Sequence, residues 1–125
     1  RVMELLREYK VDFIVLAGFL WLVPHGILQA YAGRIVNIHP ALLPGYGGKG
    51  MYGDRVHEAV IKAGDRQSGI TIHYVNSNYD EGDIIFQAIC PVLEGDKPAE
   101  LASRVHELEY IHFPVVIEDL VSRLQ

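Results

Sequence analysis

Three side chains of this sequence could together carry out acyl chemistry: the amide of Asn37, the imidazole of His39 and the carboxylate of Asp80. Asn37 and His39 lie two residues apart in RIVNIHPALLP, Arg34 to Pro44, at the end of an otherwise apolar, strand-like run. An unpaired amide in a buried strand costs about 1–3 kcal/mol. Asn37 must therefore bond a neighbouring loop or serve a ligand. Serving a ligand, its N–H can hold a carbonyl oxygen as charge develops there. The imidazole can move a proton off an attacking nucleophile, and a carboxylate can orient that imidazole and raise its pKa. Asp80 sits in the loop NYDEGD, where aspartates also make turns, and Glu81 and Asp83 rival it for the carboxylate role. No serine or cysteine is placed as a covalent nucleophile, so direct attack by a substrate amine in acyl or formyl transfer is the simplest scheme.

These residues need elements to bring them together. In open α/β sheets ligands gather outside the carboxyl ends of strands, and Asn37 and His39 occupy such an end. Period-two alternation puts both on one side of their strand. DFIVLAG, Asp12 to Gly18, is a continuous apolar run, as expected of a parallel strand covered on both faces. PHGILQAY follows as a short helix with proline near its start, so the three segments read as a βαβ unit. The glycine-dense segment from Gly45 to Asp54 is a loop, and RVHEAVIKAG a helix with Asp54 as N-cap and Gly64 as its stop. GITIHYV and DIIFQAICPV are strand-like and joined by a short polar connection, which predicts an antiparallel pair. In TIHYV, His73 shares a face with Thr71 and Val75, which predicts a buried ring bonded to the following loop. From Pro98 onward one long helix is expected, kinked or split at Pro114. The expected fold class is α/β: a Rossmann-like mixed, mostly parallel sheet with flanking helices.

Composition narrows the function. With 11 basic against 16 acidic residues the net charge is −5, which argues against nucleic acid as a partner. No apolar run approaches ~18 residues, so no membrane span is expected. The single Cys90, inside IIFQAICPV, reads as a buried inert thiol in a reducing, cytoplasmic setting. His39, His73 and Asp80 could form a two-histidine, one-carboxylate metal set, but no tight ligand spacing supports it, and no metal is expected. GYGGKGMYG lacks the spacing of a phosphate loop and reads as a loop near the site. The chain opens on a charged amphipathic helix with Val2, Leu5, Leu6 and Tyr9 on one face, and reads as the later part of something longer.

NIHPALLP followed by GITIHYVNSNYDEGDIIFQ resembles the phosphoribosylglycinamide formyltransferases of the folate-dependent formyltransferase superfamily. The resemblance runs along essentially the whole chain, with VLAGFLWLVP similar to a folate-binding stretch and RVHELEYIHFP to the C-terminal helix. It implies that residues 1–125 form a single formyltransferase-type domain, its C-terminal folate-binding and catalytic part. Asn37, His39 and Asp80 would be catalytic, with His73 supporting the aspartate loop. Phe19, Leu20, Trp21, Leu22 and Val23 would line the pterin pocket, bordered by Val75, Asn76 and Tyr79. Glu109 would bind the ribose hydroxyls of the nucleotide, with His106 one turn before it. The implied reaction moves a formyl group from 10-formyltetrahydrofolate to the amine of glycinamide ribonucleotide, in purine biosynthesis, without a metal.

Some features depart from the pattern. Trp21 stands where many members have a basic residue, and the loop from Gly45 to Asp54 is a few residues longer than in several relatives. The family's N-terminal strand and glycine-rich phosphate loop would precede Arg1, so the activity of this chain alone is open. The alternatives are a formyltetrahydrofolate deformylase, whose motif tends to have a second histidine where Pro40 stands, and a non-catalytic folate-binding fragment. A methionyl-tRNA formyltransferase would want a basic extension that a chain of net charge −5 does not offer. Small-molecule substrates are the expected partners. A homodimer is compatible with the resemblance, while the residues leave the oligomeric state undetermined.

Overall fold

The computed structural model describes residues 2–9, 11–17, 24–48, 51, 53–76 and 82–123. Among the described residues eight elements follow in order: α1 (Val2–Glu8), β1 (Ile14–Ala17), α2 (His25–Ala30), β2 (Ile35–His39), α3 (Asp54–Ala63), β3 (Gln67–Tyr74), β4 (Ile84–Pro91) and α4 (Pro98–Ser122). The four strands form one sheet in the order β1-β2-β3-β4. β1 and β2 are parallel, joined over α2, with Ile14 opposite Ile35. β3 runs against both neighbours, pairing Asn37 with His73 and His39 with Thr71 on one side, and Thr71 with Gln87 on the other. The expected mixed sheet is present. Among the described residues its parallel character rests on the β1–β2 pair, because β3 reverses direction after α3.

The register divides the sheet by chemistry. Directly opposed residues of antiparallel strands point to the same face. Ile38, Ile70 and Ile72 therefore share one face, where they pack with Cys90, with Val60 of α3 and with Leu101 and Val105 of α4. The other face carries Asn37, His39, Thr71, His73 and Gln87. Beside that polar row, Ile35 closes a second cluster with Ile27 and Tyr31 of the α2 region, supported by Met3 and Leu6 of α1.

Several local expectations are refined. Asp54 is the first residue of α3 rather than its cap, which is Gly53. Gly64 ends α3 in the left-handed conformation (φ 75°), returning its N–H to Ile61 and Val60. α4 runs through Pro114 as one helix. Proline removes the donor for the carbonyl four residues back, that of Tyr110, and Tyr110 is 82% exposed, so water can replace the lost bond. Leu101, Val105, Leu108, Phe113 and Val116 hold the helix to the core. β1 alternates in burial instead of being covered on both faces, with Val15 42% exposed. Cys90 is buried and free, and burial pushes its thiol pKa up. Among the described residues no helix is long and apolar enough to cross a membrane.

Gly69, on β3, allows β4 and the segment after β2 to approach closely. A Cβ there would fall 1.9 Å from the Ala88 carbonyl oxygen and 3.0 Å from Leu42 Cδ2. Gly69→Ala should destabilise the full-length protein by about 1–3 kcal/mol, read from urea denaturation. An unchanged midpoint would show that the strands relax without cost.

Candidate active site

The polar row begins at Asn37 and His73, whose Nδ2 and Nε2 atoms lie 3.3 Å apart. On its other side His73 places Nδ1 2.9 Å from the Tyr74 carbonyl oxygen. A carbonyl only accepts, so Nδ1 carries the proton. In the neutral ring Nε2 must then accept, and Asn37 Nδ2–H donates to it. This chain of donors fixes which way the Asn37 amide faces. Its second N–H remains for another acceptor, and its buried Oδ1 has no partner among the described residues. A buried acceptor left unpaired is costly unless a ligand satisfies it.

His39 is 3% exposed, and its Nε2 lies 2.7 Å from the Tyr46 carbonyl oxygen. By the same reasoning Nε2–H donates to that carbonyl. The chain after His39 is bolted to the sheet. Thr71 Oγ1 donates to the Ala41 carbonyl (2.7 Å) and accepts from the Leu43 N–H (3.0 Å). Gln87 Nε2 donates to Thr71 Oγ1 and to the Leu43 carbonyl, at 3.0 Å each. Each of these bonds spans strands or the loop, so His39 sits on a fixed platform.

The structure gathers Asn37, His39 and His73 on one sheet face: alternation placed Asn37 with His39, and the β2–β3 register brings His73 opposite Asn37. Asp80, Glu81, Tyr79 and the run Phe19, Leu20, Trp21, Leu22, Val23 lie outside the described residues. Asp83 is described, and its carbonyl takes the Tyr74 N–H at 2.9 Å. Val75 packs against the Ile27–Tyr31–Ile35 cluster and bonds Ile35 through its N–H at 2.9 Å, while Asn76 is exposed. On α4, His106 Nδ1 and Glu109 Oε2 lie 3.4 Å apart on the outer side of the helix, where a polar ligand could reach both.

Sequence reasoning missed His57. It belongs to the apolar face of α3 with Val56 and Val60, is 3% exposed, and its Nδ1 has no partner among the described residues. Burial pushes its pKa down, the positive charges of His106 and His39 add to this, and Asp54 opposes. His57 therefore lies within electrostatic reach of both β2 and α4. The available signal was its spacing, one residue after Val56 and three before Val60. A surface groove of about 470 Å³ between the start of α3 and α4 is lined by Asp54, Ser103, His106, Glu107 and Tyr110.

The depressed His57 pKa has a sign. The unfolded chain takes up the proton at a higher pH than the folded one, so stability is lost as pH falls through about 6.5 and levels off below the folded pKa. In the full-length protein, His57→Gln should lose less stability than wild type on going from about pH 8 to about pH 5, by urea midpoint. Equal losses would show that protonation of His57 does not oppose folding.

The formyl transferase family profile matches residues 1–117. The chain is 52% identical over 116 residues to "Phosphoribosylglycinamide formyltransferase, chloroplastic" of Arabidopsis thaliana, covering 92% of this chain and 40% of that protein. It is 40% identical over 121 residues to the phosphoribosylglycinamide formyltransferase of Bacillus subtilis, covering 97% of this chain and 60% of that protein. It superposes on the crystal structure of phosphoribosylglycinamide formyltransferase from Streptococcus pneumoniae with a TM-score of 0.86 at 41% identity, covering 96% of this chain and 64% of that one. The chain thus spans only part of the length of these relatives. Matched over nearly all of its own length and folded like its relatives, it belongs to the formyl transferase family.

Proposed function

We propose that the protein containing this chain transfers a formyl group from 10-formyltetrahydrofolate to the amine of glycinamide ribonucleotide, and that residues 1–125 form its folate-binding and catalytic part. The observation that carries this reading is the Asn37 amide, oriented by His73 and left with an unused N–H and a buried, unpaired Oδ1 on the face that holds His39. A formyl group and an amine supply what it lacks, since the formyl oxygen accepts from Nδ2–H and an amine N–H donates to Oδ1. The residues present therefore fit the co-substrate pair. Relatives carrying the substrate in their names support the choice of acceptor.

In this scheme the amine nitrogen attacks the formyl carbon, and negative charge grows on the formyl oxygen against Asn37 Nδ2–H. The carbon–N10 bond then breaks. The proton lost by the amine is returned to N10, and His39 carries it. Asp80 is the carboxylate proposed to orient His39 and stabilise its charged form, with His73 supporting. Phe19 to Val23, with Val75, Asn76 and Tyr79, would hold the pterin. Glu109 and His106 would meet the ribose hydroxyls. Both substrates are small molecules. A reducing compartment suits the buried Cys90 thiol, whether the cytoplasm or the chloroplast of the Arabidopsis relative.

In the full-length protein, Asn37→Ala should lower kcat about 10²–10³-fold while folate affinity stays within about twofold. Turnover near wild type would remove Asn37 from the chemistry. The same assay run with and without glycinamide ribonucleotide separates transfer from hydrolysis: formate release independent of the amine would make the protein a deformylase.

A further inference from the structure

The Tyr74 main-chain carbonyl takes the His73 Nδ1 proton at 2.9 Å, and His73 in turn orients the Asn37 amide. The placement of that carbonyl has a cause on the neighbouring strand. The β3–β4 ladder slips between Ile72 and His73: Ile72 faces Phe86, but His73 faces Ile84, so Ile85 is an extra residue on β4. A bulge of this kind bends its strand and re-aims the chain beside it. Here it sets Asp83 opposite Tyr74, and the Tyr74 N–H donates to the Asp83 carbonyl at 2.9 Å. Gly82 then passes directly over Tyr74. A Cβ on residue 82 would overlap the Tyr74 carbonyl oxygen and lie 2.6 Å from its carbon and 3.4 Å from the Val75 nitrogen. The Gly82 φ is not positive, so glycine serves here by leaving space rather than by allowing left-handed backbone.

We infer that Gly82 is a positioning residue for the Asn37–His73 pair: by carrying no side chain it lets the backbone two residues after Asp80 lie against the Tyr74 carbonyl, which stays in line with His73 Nδ1 and so keeps the Asn37 amide oriented. The catalytic part of this inference rests on the proposed formyl transfer, but the hydrogen bonds do not. Any side chain at position 82 forces the carbonyl and the crossing chain apart. A hydrogen bond of 2.9 Å is lost when it lengthens by about 1 Å, and misplacing a reacting group by about 1 Å costs up to about 10²-fold in rate. One crossing thus ties the stretch that carries the proposed carboxylate to the orientation of the amide. In the sequence the glycine of NYDEGD reads only as a turn residue, because the carbonyl it faces belongs to the preceding strand.

The test is ¹H–¹⁵N NMR of the histidine rings and asparagine amides in the free full-length protein, combined with kinetics. Wild type should show a His73 Nδ1–H resonance, protected from exchange by its bond to Tyr74. Gly82→Ala should lose that resonance, shift the Asn37 amide signals and lower kcat about tenfold or more, with KM for glycinamide ribonucleotide within about twofold. Gly69→Ala, a close-approach substitution elsewhere on β3, should keep the His73 resonance while lowering stability, which separates positioning from general weakening. In a His73→Ala background, Gly82→Ala should lower kcat by less than about threefold further, because the bond through which it acts is already gone. Should Gly82→Ala unfold in buffer, the spectra are recorded in sucrose, which favours the compact state. A His73 ring without an Nδ1 proton in wild type, unchanged His73 and Asn37 signals in folded Gly82→Ala, equal loss of the His73 resonance in Gly69→Ala, or fully additive losses of kcat would overturn the inference. Absence of formyl transfer by wild type, with the spectral changes as expected, would instead overturn the proposed function.

Discussion

The pairing of β2 with β3 is the constraint on which the site depends. Because the strands are antiparallel with Asn37 opposite His73 and His39 opposite Thr71, four polar side chains stand on one face within a few ångströms. Shifting β2 by one residue against β3 would turn Asn37 and His39 into the core and Ile38 out of it, a cost of several kcal/mol. The apolar face therefore secures the geometry of the polar one. The core of this sheet is a device for registering an amide against two imidazoles as well as a source of stability.

From that row, order spreads outward through bonds that single backbone atoms complete. The Tyr74 carbonyl fixes the proton of His73, which fixes the orientation of the Asn37 amide. The Tyr46 carbonyl fixes the proton of His39. Thr71 and Gln87 hold the segment between. Each ring thus has one nitrogen assigned by a group that can only accept. Such assignment is what proton transfer demands, because a histidine free to tautomerise presents the wrong group part of the time. The unpaired Asn37 Oδ1 is the place where the network stops short, and an incomplete buried network is where a ligand finds its partners.

The helices contribute electrostatics as well as cover. α3 and α4 bury Val60, Leu101 and Val105 against the sheet, and α3 carries His57 within electrostatic reach of both His39 and His106. His57 is kept from charging chiefly by its own burial. A neutral ring at that position adds no positive charge beside a histidine whose charged form the chemistry uses.

Much of this was legible in the residues. Period-two alternation placed Asn37 with His39 and His73 with Thr71, since strand geometry leaves two faces only. The apolar runs marked the strands, and Gly64 marked the end of α3, because few other residues adopt left-handed backbone cheaply. The continuity of α4 through Pro114 was not legible. Whether a missing backbone donor breaks a helix depends on whether the orphaned carbonyl meets water or the core, and only packing decides that. Nor were the roles of Tyr46 and His57 visible, for related reasons. A backbone carbonyl has no residue signature, and the charge of a histidine depends on what surrounds it in space. Residue order alone sets which chemical groups are available and which neighbours share a strand face. Only the folded backbone settles which nitrogen of each ring faces a carbonyl, since the Tyr74 carbonyl beside His73 and the Tyr46 carbonyl seven residues from His39 are aimed by the strand and the loop that carry them.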